Sequence, residues 1–331
     1  MTKMKAVGLH STGKLVNFET DKPTPAGRDL LVEVRAVAVN PVDTIQQPAN
    51  DGDEPRILGW DAAGVVVETG SACSLFQPGD EVYYAGDIMR PGANAEFHLV
   101  DERLVGRKPK TLSFAEAAAL PLTSLTAWEG LFEHLGAAKD GNDGKTVFIV
   151  GAAGGVGSIA VQLARHAGLT VIGTASRPES QGWVKQHGAH HVITHTAPFA
   201  EQLQAIGFPA VDAVFCLNQV APHWENMLKV LRPMGKICTI LPPLEPLNFR
   251  LMADKAITWS IEAMFTRAKY QTPDMIEQHN ILCELADWID AGHIRSTMTE
   301  RLSPINSQNL QAAYEKIRSR RTIGKIVLEG F

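Results

Sequence analysis

The chain has 331 residues, of which 45% are hydrophobic and 20% are charged. These proportions are ordinary for a globular protein, and they exclude a disordered chain, a collagen and a coiled coil. The formal net charge of −5 provides no basic field that would attract nucleic acid or an anionic membrane. Four cysteines stand far apart without a CxxC pair, which is typical of a reducing compartment rather than of a disulfide framework.

Neither of two segments that could direct the chain to a membrane has the required pattern. Residues 1–15 lack the apolar core of a signal peptide. Residues 146–164 carry no charge but contain four glycines in their middle, which predicts a strand, a turn and a helix rather than a membrane span. We therefore expect a soluble, cytoplasmic protein.

The first 120 residues predict a β-rich module. Residues 30–40 and 62–70 have the alternating pattern of half-buried strands, and residues 77–87 join a Pro-Gly turn to a further strand. From about residue 111 helix becomes favoured, because Ser113 and Glu116 have the spacing of a capping box within an alanine-rich run.

Strands and helices alternate between residues 145 and 241. The predicted strands are 145–151, 169–176, 190–195, 210–218 and 235–241, and helices are predicted after the first two. This alternation indicates an α/β fold with a doubly wound parallel sheet. A helical stretch at 272–292 and a last strand at 324–331 follow. We expect both chain ends to form one β-rich domain, with a nucleotide-binding domain inserted between them.

A glycine-rich turn provides the strongest local signal. Ala152-x-Gly154-Gly155-x-Gly157 follows a predicted strand and opens a predicted helix, the context that a dinucleotide-binding fingerprint requires. Gly154 and Gly155, with Val156 beside them, allow the backbone to approach a pyrophosphate, and Gly157 allows close packing of helix and strand. The N–H groups at the start of the helix would bind the phosphates. The sequence departs from the usual fingerprint at one position, where Ala152 replaces the first glycine.

The end of the second strand distinguishes NADP(H) from NAD(H). An NAD site usually has an acidic residue there to hold the ribose 2′-hydroxyl, whereas this chain has Ser176 and Arg177. A hydroxyl and a permanently charged guanidinium suit a phosphate, so the sequence predicts NADP(H). Two alternatives stay open. Arg177 can be a solvated loop residue, and Glu179 can hold a ribose if the loop bends back.

Several motifs in chain order carry a family resemblance. They are MKAVG (4–8), NPVD (40–43), LGWDAAGVVVETG (58–70), QPGDEVYY (77–84), AALPLTSLTAWEGL (118–131), AAGGVG (152–157) and RTIGKIVLEGF (321–331). Together they resemble the medium-chain dehydrogenase/reductase superfamily, in its quinone oxidoreductase-like branch, over essentially the whole chain. The resemblance implies a Rossmann sheet inserted in a GroES-like catalytic domain. Residues 1–123 and 263–331 would form the catalytic domain, residues 124–262 the NADP-binding domain, and two chains a homodimer.

Relatives of the zinc type hold a catalytic zinc with two cysteines and a histidine. Matched motif to motif, those positions are Asn40, Trp60 and Leu122, none of which supplies a thiolate, imidazole or carboxylate. Asp61, next to Trp60, is the only residue beside these positions of a type that can coordinate zinc. We therefore predict that the protein holds no zinc, whatever the relatives are named.

A histidine cluster lies near the third predicted strand. Strand alternation puts His191 and His195 on one face and His190 on the other, so these residues predict no metal site. The resemblance implies that His195, at the end of the strand, approaches the adenosine phosphate. The alternative is an ordinary polar residue at a strand end.

Chemistry without a Lewis acid favours an electron-poor acceptor. A quinone or an α,β-unsaturated carbonyl takes hydride at carbon and spreads the charge onto oxygen, so the protein needs mainly orientation and hydrogen-bond donors. The candidates in the substrate pocket are Asn40, which the resemblance also brings to the nicotinamide end, Asp43 and Trp60. As alternatives, Asn40 is a turn residue before Pro41, Asp43 caps that turn, and Trp60 belongs to the core.

Further cofactor contacts follow from the resemblance and from the sheet. Ligands of such sheets bind outside the carboxyl ends of the strands, which predicts contacts at Leu217, Asn218 and Leu241. The resemblance adds Thr126 and Trp128, which could instead pack the helix, and Arg320 near the 2′-phosphate, which could instead be a surface residue.

Three functions stay open from the sequence. The first is an NADPH-dependent reductase of quinones or enones. The second is an enoyl-thioester reductase, although similar enzymes use a tyrosine where this chain has Ile45-Gln46-Gln47. The third is an NADPH-binding protein with little catalysis. The sequence identifies no proton donor.

Overall fold

The computed structural model describes residues 2–46 and 54–331. The chain forms two compact units. The first unit contains Met1–Leu125 and Phe265–Phe331, and the second unit contains Thr126–Met264. Gln47, in the loop that was compared with the enoyl-thioester reductases, lies outside the described residues.

The strands and helices are as follows. The strands are β1 (Lys3–Leu9), β2 (Leu15–Asp21), β3 (Asp29–Ala38), β4 (Arg56–Ile57), β5 (Ala62–Thr69), β6 (Glu81–Tyr84), β7 (Phe97–Asp101), β8 (Val105–Arg107), β9 (Thr146–Val150), β10 (Thr170–Thr174), β11 (His191–Ile193), β12 (Val211–Cys216), β13 (Leu231–Thr239), β14 (Thr258–Ile261), β15 (Met298–Leu302) and β16 (Lys325–Glu329). The α-helices are α1 (Phe114–Ala118), α2 (Pro121–Trp128), α3 (Gly155–His166), α4 (Pro178–Gln186), α5 (Phe199–Ala205), α6 (Trp224–Val230), α7 (Arg250–Lys255), α8 (Thr266–Tyr270), α9 (Glu277–Asp290) and α10 (Ser307–Arg318). Short 3₁₀-helices span Pro41–Ile45, Glu102–Leu104 and Ala221–His223, and a π-helix spans Glu129–His134.

The first unit is β-rich. Over the described residues it has a sheet in the order β2-β1-β4 and a second in the order β15-β16-β3-β5-β6-β8, with β7 paired to β3. Antiparallel pairing of β16 with β3 joins the last strand of the chain to one of the first. The two separated parts of the sequence therefore share one core. The predicted capping box is present at the start of α1, where Ser113 and Glu116 bond reciprocally.

The second unit is a parallel sheet covered by helices. Its strands run in the order β11-β10-β9-β12-β13-β14, and every adjacent pair is parallel. The order reverses between β9 and β12, which is the point where doubly wound sheets bind dinucleotides. Strand β9 is buried along its whole length, as expected for a sheet with helices on both faces. The predicted fold class, a Rossmann sheet with a GroES-like β-rich domain, is confirmed.

Several predicted strand ends need correction. Strand β11 ends at Ile193, so His195 lies in the turn beyond it. The reason is the side chain of Gln202, whose Oε1 accepts from the Thr194 N–H at 2.9 Å and whose Nε2 donates to the Thr194 carbonyl at 3.0 Å. This amide takes the place of a neighbouring strand. Strands β12 and β13 likewise end at Cys216 and Thr239, and β14 is a strand that the sequence pattern did not reveal.

Candidate functional site

The glycine turn lies between β9 and α3. Gly151 has φ of +88°, a backbone conformation that favours glycine. A Cβ added at Gly157 would lie 2.4 Å from the Gly151 carbonyl oxygen, so the start of α3 packs directly on the turn. At Gly154 the nearest described atom to an added Cβ is the same oxygen, at 3.7 Å. The backbone at Gly154 therefore has room for a ligand group beside the N-terminus of α3.

The ends of β10 and β12 meet this turn. The Gly151 N–H donates to Thr174 Oγ1 at 2.9 Å, and an added Cβ at Gly151 would be 3.6 Å from Asn218 Cβ. Ser176, which is exposed, and Arg177, which is half-buried at the N-cap of α4, directly follow β10. The structure thus brings one set of predicted cofactor residues to the carboxyl ends of β9, β10 and β12: Gly154, Gly155, Val156, Ser176, Arg177, Leu217 and Asn218.

His195 and His223 form a pair near the same edge. Their ring centroids are 6.2 Å apart, and burial lowers the pKa of both imidazoles. Among the described residues, His195 Nδ1 is buried without a hydrogen-bond partner. A neutral imidazole can offer a phosphate one N–H donor but no charge. The role of His195 stays a prediction.

Four predicted residues lie away from this set along the chain. Thr126 is buried in α2, and Leu241, 46% exposed, follows the end of β13. Asn40 and Arg320 belong to the first unit. Arg320 is exposed just after α10 with φ of +57°.

The first unit contains a buried polar cluster that the sequence did not reveal. Lys325 Nζ donates to Asp61 Oδ2 at 2.9 Å and to Asn40 Oδ1 at 2.6 Å, and Asn40 Nδ2 donates to the same Asp61 oxygen at 2.8 Å. The Leu122 N–H donates to Asp61 Oδ1 at 2.8 Å. Burial raises the pKa of Asp61, and the Lys325 ammonium opposes that shift. The sequence feature that could have revealed this cluster is a lysine within the apolar run of β16, because a buried charge requires a partner.

Asp43 adjoins this cluster. Its Oδ2 accepts from the Asn40 N–H at 2.7 Å as part of a capping box, which is the turn-capping alternative. Burial raises the pKa of Asp43 to about 7, although the Asn40 N–H and Lys325 oppose the shift. Its Oδ1 is buried and has no hydrogen-bond partner among the residues that the structure describes.

Trp60 lies in the core of the first unit. It is 1% exposed, and its Nε1 donates to the Asp87 carbonyl at 3.1 Å. Its ring meets that of Phe265 edge-on at 6.4 Å between centroids. These contacts fit the alternative of a core tryptophan, and its role in a substrate pocket stays a prediction.

The positions matched to zinc ligands converge without forming a zinc site. Asn40 and Leu122 both bond to Asp61, which directly follows Trp60. The donors there are an amide, a backbone N–H and an ammonium. Asp61 already accepts hydrogen bonds on both oxygens, and the adjoining Asp43 accepts from the Asn40 N–H. These residues do not fit zinc, which takes thiolate, imidazole or carboxylate ligands in a set of three or four. Over residues 2–46 and 54–331, no group of three or more His, Cys, Asp or Glu side chains could hold a metal ion.

The parallel sheet with its glycine turn has the form of a dinucleotide-binding domain, and it accompanies a β-rich, GroES-like domain. Two family models match the chain: "Alcohol dehydrogenase GroES-like domain" over residues 26–127 and "Zinc-binding dehydrogenase" over residues 187–328. Among curated proteins, a zinc-type alcohol dehydrogenase-like protein of Staphylococcus aureus (strain MSSA476) is 39% identical, over 98% of this chain and 99% of its own length. The 2-methylene-furan-3-one reductase of Solanum lycopersicum is 30% identical, over 99% of this chain and 79% of its own.

A solved structure from Rhizobium etli CFN 42, provisionally described as a zinc-dependent alcohol dehydrogenase, is 49% identical with a TM-score of 0.95, over 100% of this chain and 99% of that one. Mycobacterial Rv1454c, solved in complex with NADPH, is 26% identical with a TM-score of 0.83, over 98% and 99% of the two chains. The chain belongs to the medium-chain dehydrogenase/reductase superfamily, whose members are nicotinamide-dependent oxidoreductases. In the described part of the chain, no helix is both long and apolar enough to cross a membrane.

Proposed function

We propose that the protein is an NADPH-dependent reductase that transfers hydride to a quinone or an α,β-unsaturated carbonyl without a metal. The observation that carries the cofactor assignment is the pair Ser176 and Arg177, which directly follows β10 next to the glycine turn. No acidic residue stands at this end of the strand, where an NAD site usually has one. The observation that favours an electron-poor acceptor is the cluster of Asn40, Asp61 and Lys325, whose donor set does not fit a Lewis-acidic metal.

The roles of the residues follow from their chemistry. The N-terminus of α3 binds the pyrophosphate, and Gly154 lets the backbone approach it. Arg177 and Ser176 bind the 2′-phosphate through charge-assisted hydrogen bonds. NADPH, when bound, supplies the hydride. Because the acceptor carries the developing charge on oxygen, the protein needs a hydrogen-bond donor at that oxygen and a solvent proton to complete the reduction.

Replacement of Arg177 tests the cofactor assignment. We expect Arg177→Ala to raise the KM for NADPH by about 10- to 100-fold, since a hydrogen bond to a charged group contributes ~1.5–3 kcal/mol. The KM for NADH should change little, because that cofactor has no 2′-phosphate. Lys185→Ala removes a positive charge from an exposed position of the same helix and serves as the matched control. Equal loss with both cofactors would contradict the assignment.

The substrate class is tested by oxidation of NADPH with a benzoquinone, an alkenal and crotonyl-CoA, on protein whose metal content is measured. We expect turnover of the quinone or the alkenal, unchanged after treatment with a chelator. Preference for crotonyl-CoA would favour the enoyl-thioester reductase. Binding of NADPH without turnover of any acceptor would favour a binding protein. Stoichiometric zinc that activity requires would contradict the metal-free reaction. We also propose a cytoplasmic homodimer.

A further inference from the structure

Helix α9 carries a cysteine and a histidine one turn apart. Cys283 Sγ lies 3.8 Å from His279 Nε2 and 3.9 Å from Nδ1, within the range of a hydrogen bond to sulfur. Both residues are half-buried in the first unit. The pair is separate from the residues assigned to the cofactor and from the polar cluster of Asn40, Asp61 and Lys325.

The backbone of β8 determines which nitrogen of the His279 ring carries the proton. Nδ1 lies 2.7 Å from the Val105 carbonyl oxygen, which can only accept, so Nδ1 carries the hydrogen. In the neutral imidazole Nε2 is then the acceptor, and it is the nitrogen nearer to the thiol. The ring of Phe76 meets the imidazole edge-on at 5.6 Å between centroids. The imidazole is thus oriented by a third group as a base for Cys283, which is the arrangement of a nucleophile that a histidine activates.

Packing holds α9 against two strands of the first unit. Tyr83 Oη, on β6, donates to the Leu282 carbonyl at 2.6 Å, and an added Cβ at Gly106 would lie 2.4 Å from Leu282 Cβ. Burial raises the pKa of Tyr83 well above its ordinary value, so the phenol brings no charge to the pair. Cys283, the next residue of the helix, therefore keeps a fixed place beside the backbone of Arg107 in β8.

The charges around the pair favour a thiolate and an imidazolium. Burial opposes ionisation of the Cys283 thiol, but the hydrogen bond from His279, the Arg107 N–H and the positive charges of both residues outweigh it, so the pKa of Cys283 lies below its ordinary value. The Cys283 hydrogen bond raises the pKa of His279 against the effect of burial, and the Glu102 carboxylate adds to this rise. The Arg107 guanidinium also donates to Asp287 at 2.5 Å.

The other three cysteines lie in different surroundings. Burial raises the pKa of Cys216 to about 11 and that of Cys238 to about 12, and both residues are fully buried. Cys73 is half-buried, as Cys283 is, but burial and the Glu102 carboxylate raise its pKa. The thiolate is the nucleophilic form of cysteine, so Cys283 differs from the other three thiols of the chain in reactivity.

We propose that Cys283 is a modification site at which α,β-unsaturated carbonyl compounds form covalent adducts, with His279 as the base that takes the thiol proton. Sulfur is soft and polarizable, which suits the β-carbon of such a compound. The inference does not rest on the proposed function, because the pair lies within the first unit and the addition needs neither NADPH nor a metal.

The addition balances without a further reactant. His279 Nε2 takes the proton of the thiol, and an electron pair of the Cys283 sulfur forms the bond to the β-carbon. The π electrons of the C=C bond move through the α-carbon onto the carbonyl oxygen, which gives an enolate. The imidazolium then returns the proton to the α-carbon. The product is a thioether with its carbonyl group intact, and no oxidant or reductant takes part.

N-ethylmaleimide, whose C=C bond is conjugated to two carbonyl groups, tests the site in the full-length protein without NADPH. Mass spectrometry of the digested protein gives the rate of adduct formation at each cysteine. We expect Cys283 to react at least about 10-fold faster than Cys73 at pH 7, because a larger fraction of it is thiolate. The rate at Cys283 should also reach its plateau at a lower pH than the rate at Cys73. Cys216 and Cys238 should stay unmodified while the protein is folded.

His279→Asn removes the base and keeps a donor for the Val105 carbonyl, since the amide nitrogen of asparagine can stand near the place of Nδ1. We expect the rate at Cys283 to fall about 10-fold at pH 7 and its plateau to move to higher pH, because the thiolate loses its partner. The rate at Cys73 should not change. His293→Asn removes an exposed imidazole just beyond α9, and as the matched control it should leave both rates unchanged.

Two results would overturn the inference: a rate at Cys283 no greater than that at Cys73 in the wild-type protein, or an unchanged rate at Cys283 in folded His279→Asn. Modification of Cys216 and Cys238 would show that the variant has unfolded, and the two wild-type rates with their pH profiles then decide alone. Because the reaction is measured without NADPH, its failure leaves the proposed function standing. Absence of reductase turnover likewise leaves this inference standing.

Discussion

Asp43 is a single carboxyl group whose burial makes the stability of the protein sensitive to pH. Its pKa is raised to about 7 in the folded protein, mainly by burial, from an ordinary value of 3.8. Between these two values the unfolded chain loses the proton while the folded protein keeps it. The contribution of this group to stability therefore falls as the pH rises from about 4 to about 7, by ~1.4 kcal/mol per pH unit, and it is constant above that range.

Asp43→Asn removes this dependence and keeps an oxygen for the Asn40 N–H. We expect the free energy of unfolding of the variant to exceed that of the wild-type protein increasingly between pH 5 and pH 7, by on the order of 2–3 kcal/mol in total. Urea denaturation at pH 5, 6, 7 and 8 measures the difference. Asp254→Asn, at an exposed acid of α7, is the control. A difference that does not grow with pH would contradict the prediction.

The residue scale also marks where the sequence was insufficient. NPVD identified Asn40 and Asp43 as candidates, because a short motif carries its own local geometry. Lys325 was missed since its partner Asp61 lies 264 positions away, and no local pattern records such a pair. The choice between a pocket residue and a core residue at Trp60 likewise depends on contacts with distant segments.

At the scale of elements, two glycines in helices differ in what surrounds them. An added Cβ at Gly157 would lie 2.4 Å from the Gly151 carbonyl oxygen and 2.6 Å from backbone atoms of Ala152. At Gly182, in α4, no atom of the described residues lies within 4 Å of an added Cβ. The first glycine permits a close approach of two backbones, whereas the second leaves open space.

We expect Gly157→Ala to displace the turn, to lower stability by about 1–3 kcal/mol and to weaken the binding of NADPH. Gly182→Ala should stabilise the protein by about 0.5–1 kcal/mol, because alanine loses less conformational entropy in a helix, and should leave the binding unchanged. Urea denaturation and titration with NADPH measure both effects. Binding of wild-type strength in Gly157→Ala would show that the turn tolerates the side chain and would contradict its assigned role.

The strands and helices were predicted well where the apolar residues of the sequence follow a clear strand or helix period. The strands β9, β10 and β12 and the helices α3 and α4 follow from apolar runs and glycine turns in the sequence. The predicted end of β11 was wrong, because the side chain of Gln202, eight positions after Thr194, bonds to the backbone N–H and carbonyl of Thr194 in place of a neighbouring strand. Strand β14 is four residues long, too short for a period to show.

For the whole molecule, the free edge of the second unit's sheet bears on assembly. Strand β14 is the last in the strand order, and in the described residues it pairs with β13. The Glu262 N–H, just beyond β14, donates to the Thr239 carbonyl at 2.8 Å, so backbone groups at alternate positions, such as Ile261, face away from β13. Ile261 is 44% exposed. The unpaired backbone groups of such an edge can form hydrogen bonds with a strand of a second chain.

We therefore predict that two chains pair along β14, and light scattering after size-exclusion chromatography should give twice the mass of the chain. Ile261→Lys places a charge at the edge of each copy, and the two like charges should shift the protein to the monomer. Leu244→Lys adds the same charge at a residue that is 97% exposed and lies outside β14, and should leave the dimer intact. A monomeric wild-type protein, or a dimer that survives Ile261→Lys, would contradict pairing at this edge. Because the carboxyl ends of the strands stay outside such an interface, the monomeric variant should still bind NADPH at the glycine turn.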